Sequence, residues 1–129
     1  MTQVTGNSDP RVVEAIKYAI ALNSEGQSEL AVQHLLPLMA EFPAAASIPG
    51  YVALFLNRSG RFVEAIEYGR QGTLLSPQSE KASLVLFHSL WKGGQRIEAL
   101  DEMKRFLAIR PSEEYSKMLK EWKLSESEG

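Results

Sequence analysis

The sequence contains no cysteine. That removes disulfides, thiolate catalysis and cysteine-ligated zinc together, and it leaves the redox compartment unspecified. No stretch approaches the ~18 uninterrupted apolar residues of a membrane-spanning helix, so membrane insertion is not expected. An excess of one charge is missing too. The formal net charge is -2, with 4 basic and 6 acidic residues up to Glu64 and 10 of each from Ala65 onward. Proteins that track a phosphate backbone carry a basic excess or stripe, so nucleic acid is not an expected partner. The first ten residues are polar and have no apolar run behind a positive charge. No secretory signal is read there, and a cytoplasmic location is expected. Phosphate-binding loops, dinucleotide fingerprints, nucleophile elbows and zinc-binding helix motifs are all absent. The two histidines, His34 and His88, have no carboxylate or thiolate at metal-ligand spacing. No catalytic residue, cofactor or metal is expected, and the chain reads as non-enzymatic.

What the sequence does have is a period. Gly60-Arg61-Phe62-Val63-Glu64-Ala65-Ile66, closed by Pro77, returns as Gly94-Gln95-Arg96-Ile97-Glu98-Ala99-Leu100, closed by Pro111. Upstream the same shape is Gly26-Gln27-Ser28-Glu29-Leu30-Ala31-Val32, closed by Pro43. The three glycines, the three alanines and the three prolines each keep a spacing of 34 residues. Such a period belongs to stacked helix-turn-helix units. With 129 residues, 44% of them hydrophobic, the chain suits one all-α domain.

Expected boundaries follow from caps and breakers. Residues 1–9 read as a flexible tail and 10–124 as the domain, with units at about 12–45, 46–79 and 80–113. A capping helix covers about 112–124, and 125–129 form a second tail. Asp9-Pro10 is a helix entry. Val12, Ala15, Ile16, Ala19 and Leu22 then give one apolar face as far as Ser24. Gly26 supplies the positive φ of a sharp reversal. Partner helices are expected over Ser28–Glu41, Ile48–Ser59, Phe62–Leu75, Glu80–Lys92 and Arg96–Ile109. Pro37, inside the first of these, predicts a kink or an early end. Gly69 and Gly72, three apart in the helix from Phe62, cost ~1 kcal/mol each in helix propensity. Both continue the face of Ala65, so a neighbouring backbone is expected to come close there. The last helix sets Tyr115, Met118, Leu119 and Trp122 on one stripe, with Lys117, Lys120, Glu121 and Lys123 turned away. That is how a solenoid hides its final apolar face.

These repeats resemble tetratricopeptide repeats over roughly Val12 to Ser112. The family pattern falls on Ala15, Tyr18, Ala19, Leu22, Ala31, Leu35 and Pro43 in the first unit. In the second it falls on Pro49, Val52, Ala53, Leu56, Ala65, Gly69 and Pro77. In the third it falls on Ser83, Leu86, Phe87, Leu90, Ala99, Met103 and Pro111. The match is one of residue size more than identity: Pro49 and Ser83 replace an aromatic, and Phe87 replaces a small residue. The resemblance implies a right-handed superhelix of three helix pairs plus a seventh capping helix. Its first helices would line a concave groove that binds a peptide or a partner helix.

With 3.6 residues per turn, the groove side of each first helix lies about 100° from its core stripe. That side collects Val13, Ile16, Ile20 and Asn23 from the first unit and Tyr51, Leu54, Asn57 and Arg58 from the second. The third gives Lys81, Leu84, Val85, His88 and Trp91. For Val85 and Tyr51, packing against neighbouring helices competes equally with groove lining. An apolar strip edged by Asn and cationic side chains suits an apolar or amphipathic helix. The family's best-known ligands, acidic carboxyl-terminal tails of heat-shock chaperones, are held by a clamp of lysines, asparagines and an arginine. The clamp positions fall here on Ile16, Ile20, Tyr51, Lys81 and Val85. Only Lys81 matches, so no such tail is expected to bind. The expected function is a protein-interaction module, with a small chaperone or assembly scaffold as a close variant. The alternative is a self-associating module that buries its groove or its Trp122 end in a homodimer.

Overall fold

A computed structural model describes residues 6–128, with side chains as far as Lys123. Residues 1–5 and Gly129 lie outside it. The described residues form seven helices and no strand. They are α1 (Pro10–Ser24), α2 (Ser28–Glu41), α3 (Ser47–Arg58), α4 (Phe62–Leu75), α5 (Glu80–Lys92), α6 (Arg96–Leu107) and α7 (Glu113–Glu128). Three helix pairs stack in order and α7 closes the row, an all-α, superhelical repeat architecture with a capping helix.

The corners explain the period. Gly26, Gly60 and Gly94 take φ of 81°, 77° and 86°, a region that L side chains avoid. In each corner the residue after the glycine donates its backbone N–H across the turn. Gln27 reaches Leu22 O at 2.9 Å, Arg61 reaches Leu56 O at 2.9 Å and Gln95 reaches Leu90 O at 2.8 Å. The same carbonyl, 34 residues on each time, is thereby satisfied by a glycine-capped turn. At the entry to α1, Asp9 accepts from Arg11 N at 2.9 Å, with Pro10 in the first turn.

Several expected boundaries shift. Pro37 does not end α2, which continues to Glu41. Leu35 before it is fully buried, and Leu38 and Met39 after it pack against the core, so the flanking turns hold the helix through the missing N–H. α6 stops at Leu107, two residues before Ile109. α7 passes the end expected near Leu124 and reaches Glu128, no glycine or proline interrupting it. The expected amino-terminal tail is docked from Gly6 onward. Asn7 Oδ1 accepts from Ser47 N at 3.0 Å and from Ser47 Oγ at 2.9 Å. Ala46, the residue ahead of α3, has no side-chain acceptor, and Asn7 supplies what the helix start lacks.

Two apolar clusters form the core. One gathers Val12, Leu35, Ile48, Val52, Phe55 and Leu56 among others. The other gathers Ile66, Leu86, Phe87, Leu90, Met103, Phe106 and Tyr115. Between α4 and α5 the approach is close, as Gly69 predicts: a Cβ there would stand 3.2 Å from Leu86 Cδ1 and 3.3 Å from Leu86 Cα. Gly72 faces α3 instead, where a Cβ would stand at an ordinary 3.6 Å from Gly50 N.

The position where Ser83 replaces an aromatic is filled from α6 and α7. Ser83 Oγ donates to Glu102 Oε2 at 2.6 Å and meets Tyr115 Oη at 2.7 Å. Arg105 forks onto the same carboxylate at 2.8 and 2.7 Å and donates to Pro77 O at 2.9 Å. Among the described residues no buried side-chain polar atom lacks a partner. The small serine therefore makes room for a tyrosine hydroxyl and a buried, paired carboxylate. On the outer face, Arg61 links Glu29 (3.1 Å) to Glu64 (2.6 Å), and Arg70 pairs with Glu98 at 2.6 Å. Glu29 and Glu98, both in first turns, thus tie neighbouring units together, while Glu64 steadies Arg61 within its own unit.

Candidate functional site: the face of the first helices

The first helices α1, α3 and α5 touch one another directly, α1 with α3 and α3 with α5. Part of the face predicted as groove is therefore spent on that contact. Between the amino-terminal halves of α3 and α5 the helices part, leaving a hollow of ≈ 290 Å³. Its lining includes Tyr51 and Leu54 from α3 and Ala82 and Val85 from α5. Polar groups edge it: Asn7 from the tail, Ser47, Ser76, Ser79 and Lys81. Gly50 leaves its floor open, since nothing lies within 4 Å of the Cβ it lacks. Among the described residues Lys81 is the sole charged group of the lining, and its Nζ stands 5.6 Å from the centre of the Tyr51 ring. At that range the ammonium is drawn to the ring face. Ser79 caps α5, accepting from Ala82 N at 3.1 Å. An apolar floor, a polar edge and one cation could seat an aliphatic or aromatic side chain and steer the backbone that carries it.

The predicted groove residues divide by what covers them. Tyr51, Leu54, Lys81 and Val85 line the hollow, although Val85 keeps only 9% of its surface. Ile16, also 9% exposed, belongs to the core. It sits in the cluster that α1 shares with α2 and α3, so it is not free groove surface. Ile20 is 40% exposed; it lies outside the hollow, as do half-buried Val13 and exposed Arg58. Asn23 accepts from Ser28 Oγ at 2.7 Å and so serves the first corner. Asn57 acts as a spacer between α3 and α5. Its Nδ2 donates to Val85 O at 3.5 Å, and the Ser89 hydroxyl lies 2.9 Å from its Oδ1. Leu84 packs against the second cluster.

The predicted rim at the end of α5 is covered by α7. Trp91 stacks on Trp122 with centroids 5.3 Å apart and planes at 12°, and it lies 5.6 Å from Phe87. The Arg96 guanidinium sits 4.8 Å from the Trp91 ring. Trp91 is thus an internal contact rather than an anchor for a partner, and Trp122 is spent the same way. His88 stays exposed at the edge of α7, its pKa lowered by partial burial and by Lys92, against an opposing pull from Glu114. The sequence reading missed Asn7, Ser76 and Ser79. Nothing local marks them, because each reaches the hollow through a loop whose course depends on tertiary packing.

Among the described residues no group of three or more His, Asp or Glu side chains could hold a metal ion, and no helix is long and apolar enough to cross a membrane. The sequence matches no protein-family model and no curated protein. Solved structures do match in fold. The chain is similar to one point mutant of the protein MamA at 21% identity and a TM-score of 0.68, over 84% of this chain and 79% of that one. It is similar to a second MamA point mutant at 23% identity and a TM-score of 0.66, over 84% of this chain and 60% of that one. At such identity the likeness establishes an all-α repeat architecture and nothing about ligands.

Proposed function

We propose that the chain is a non-enzymatic protein-interaction module of tetratricopeptide type, acting in the cytoplasm. It grips an apolar or amphipathic segment of another protein on the face of its first helices. The observation that carries this reading is the hollow between α3 and α5, whose apolar floor of Tyr51, Leu54, Ala82 and Val85 is edged by Ser47, Ser79 and Lys81. One apolar side chain of the partner occupies the floor, and its flanking backbone meets the serines and Asn7. A small chaperone or assembly scaffold would use such a grip. The alternative is a homodimer that buries the groove or the Trp122 end, and its second form is disfavoured because Trp122 already stacks on Trp91.

Selection of displayed peptides against the purified protein tests the reading. Peptides with one bulky apolar anchor should be enriched. Leu54→Asp should weaken their binding at least ~10-fold, since it sets a charge in the apolar floor, while helical content is unchanged. Enriched peptides that bind Leu54→Asp as well as the parent protein would place the binding face elsewhere.

A further inference from the structure

The hollow between α3 and α5 is a departure from the repeat. Its seam has a counterpart 34 residues earlier, between α1 and α3. There the positions that correspond to Gly50 and Ala82 hold Ile16 and Ile48, 9% and 0% exposed and both packed in the first core cluster. One period later Gly50 corresponds to Leu84, again a large apolar residue, packed against the second cluster. The seam between α3 and α5 thus lacks two aliphatic side chains that the period supplies elsewhere. Their loss accounts for its size. One leucine cut back to alanine in a core leaves ~150 Å³, enough to admit benzene. Two such deletions leave about twice that, and the hollow measures ≈ 290 Å³.

Nothing in the fold asks for glycine at position 50. Gly50 is absent from the glycines of positive φ, unlike those at the corners. A Cβ on Gly50 would meet nothing within 4 Å, whereas Gly69 is kept small by Leu86. A helix also disfavours glycine. What Gly50 does is keep the floor of the hollow clear.

We propose that Gly50 sets the specificity of the binding face, and that the partner segment fills the hollow with one indole-sized aromatic side chain. The inference rests on the peptide-gripping function proposed above. Size argues for the largest side chain, since one residue must replace two aliphatic ones. Charge argues for an aromatic one. Lys81 is the sole charged group of the lining among the described residues, and no carboxylate among them pairs with it. Its ammonium already lies 5.6 Å from the centre of the Tyr51 ring. The negative face of a second ring completes a sandwich around that ammonium, a gain that an aliphatic side chain of any size forgoes. Indole also carries an N–H donor, and Ser47, Ser76 and Ser79 set hydroxyl oxygens along the edge.

Titration of the full chain with N-acetyl-tryptophan amide and N-acetyl-leucine amide, followed in two-dimensional amide NMR spectra, tests this. The tryptophan probe should shift the amides of Tyr51, Leu54 and Val85 and bind at least ~10-fold more tightly than the leucine probe. Gly50→Leu, which restores the side chain that Leu84 carries one period on, should weaken the tryptophan probe at least ~10-fold with no loss of stability to urea. Gly50→Ala should weaken it by a smaller factor, and carries the test should the leucine variant fold poorly. Lys81→Met keeps the apolar stem and removes the charge, and should narrow the preference for tryptophan over leucine about 3-fold. Equal binding of the two probes overturns the inference. So does a tryptophan probe that leaves the hollow unmoved, or one indifferent to Gly50→Leu and Gly50→Ala. Failure of the function reading looks different: no selected peptide depends on Leu54. Selected peptides that need Leu54 but anchor through an aliphatic side chain keep that reading and overturn this one.

Discussion

Replacing Gly69 and Gly72 one at a time by alanine should move stability in opposite directions. Both glycines sit in the interior of α4, where alanine is favoured by about 1 kcal/mol. What differs is the space outside. At Gly72 the new methyl would stand 3.6 Å from Gly50 N and 3.7 Å from Gly50 Cα, ordinary contact distances. The propensity gain survives there, and Gly72→Ala should stabilise by about 1 kcal/mol. At Gly69 the methyl would stand 3.2 Å from Leu86 Cδ1 and 3.3 Å from Leu86 Cα. The leucine tip can rotate, but the Cα belongs to the backbone of α5, and Leu86 is only 3% exposed. Forcing such a contact apart costs about 1–3 kcal/mol. The propensity gain is offset, and Gly69→Ala should destabilise by about 1 kcal/mol. The two variants then differ by about 2 kcal/mol, or about 1 M in urea midpoint at an m-value near 2 kcal/mol/M. Urea unfolding followed by circular dichroism at 222 nm reads that separation directly. Equal stabilisation by both alanines would refute the close approach of α4 to α5, and with it the view that glycine sets how tightly the second and third units stack.

The buried carboxylate gives two further expectations. Arg105→Ala leaves Glu102, 7% exposed, without its cation, which should destabilise by about 2 kcal/mol. That is less than a fully buried pair would lose, because Arg105 keeps 35% of its side chain in water. Adding Glu102→Gln should recover part of the loss in the same urea assay; no recovery would mean that the charge is not what burial penalises. Burial also pushes the Tyr115 phenol up to about 12, above the ~10 of an unfolded tyrosine. The protonated phenol is the form that folding favours, so its contribution is whole below pH ~10 and drains away toward pH ~12. Ultraviolet titration should show one late-ionising tyrosine together with falling stability, and both features should vanish in Tyr115→Phe.

The repeat was legible because its rules are local. A positive φ requires glycine, two close helices require a small residue, and the end of a helix tolerates proline. Those constraints write themselves into single positions, so the corners at Gly26, Gly60 and Gly94 and the close approach at Gly69 could be read in advance. The candidate site was legible only in part. Tyr51, Leu54, Lys81 and Val85 do line a hollow, but the 100° rule treats each first helix as if its neighbours were absent. Ile16 is covered because it joins the core that α1 shares with its neighbouring helices, and Trp91 because α7 brings Trp122 against it. Asn57 looked like an edge residue because a polar side chain between helices leaves the same sequence mark as one facing water. Asn7 could not have been found at all, since its partner Ser47 lies 40 residues away.

The bond that joins Ser83, Glu102 and Tyr115 has a consequence for how such a chain can grow. The counterparts of Ser83 and Glu102 one period earlier are Pro49 and Tyr68, which offer α7 neither a serine hydroxyl nor a carboxylate. The closing helix is therefore addressed to the third pair and to no other. Extra copies of the hairpin could be spliced in ahead of Ser83 without disturbing the terminus, whereas a copy inserted after Leu107 would strand Glu102 in the interior and part Tyr115 from its mate. Lengthening by duplication is open on one side of that triad and closed on the other.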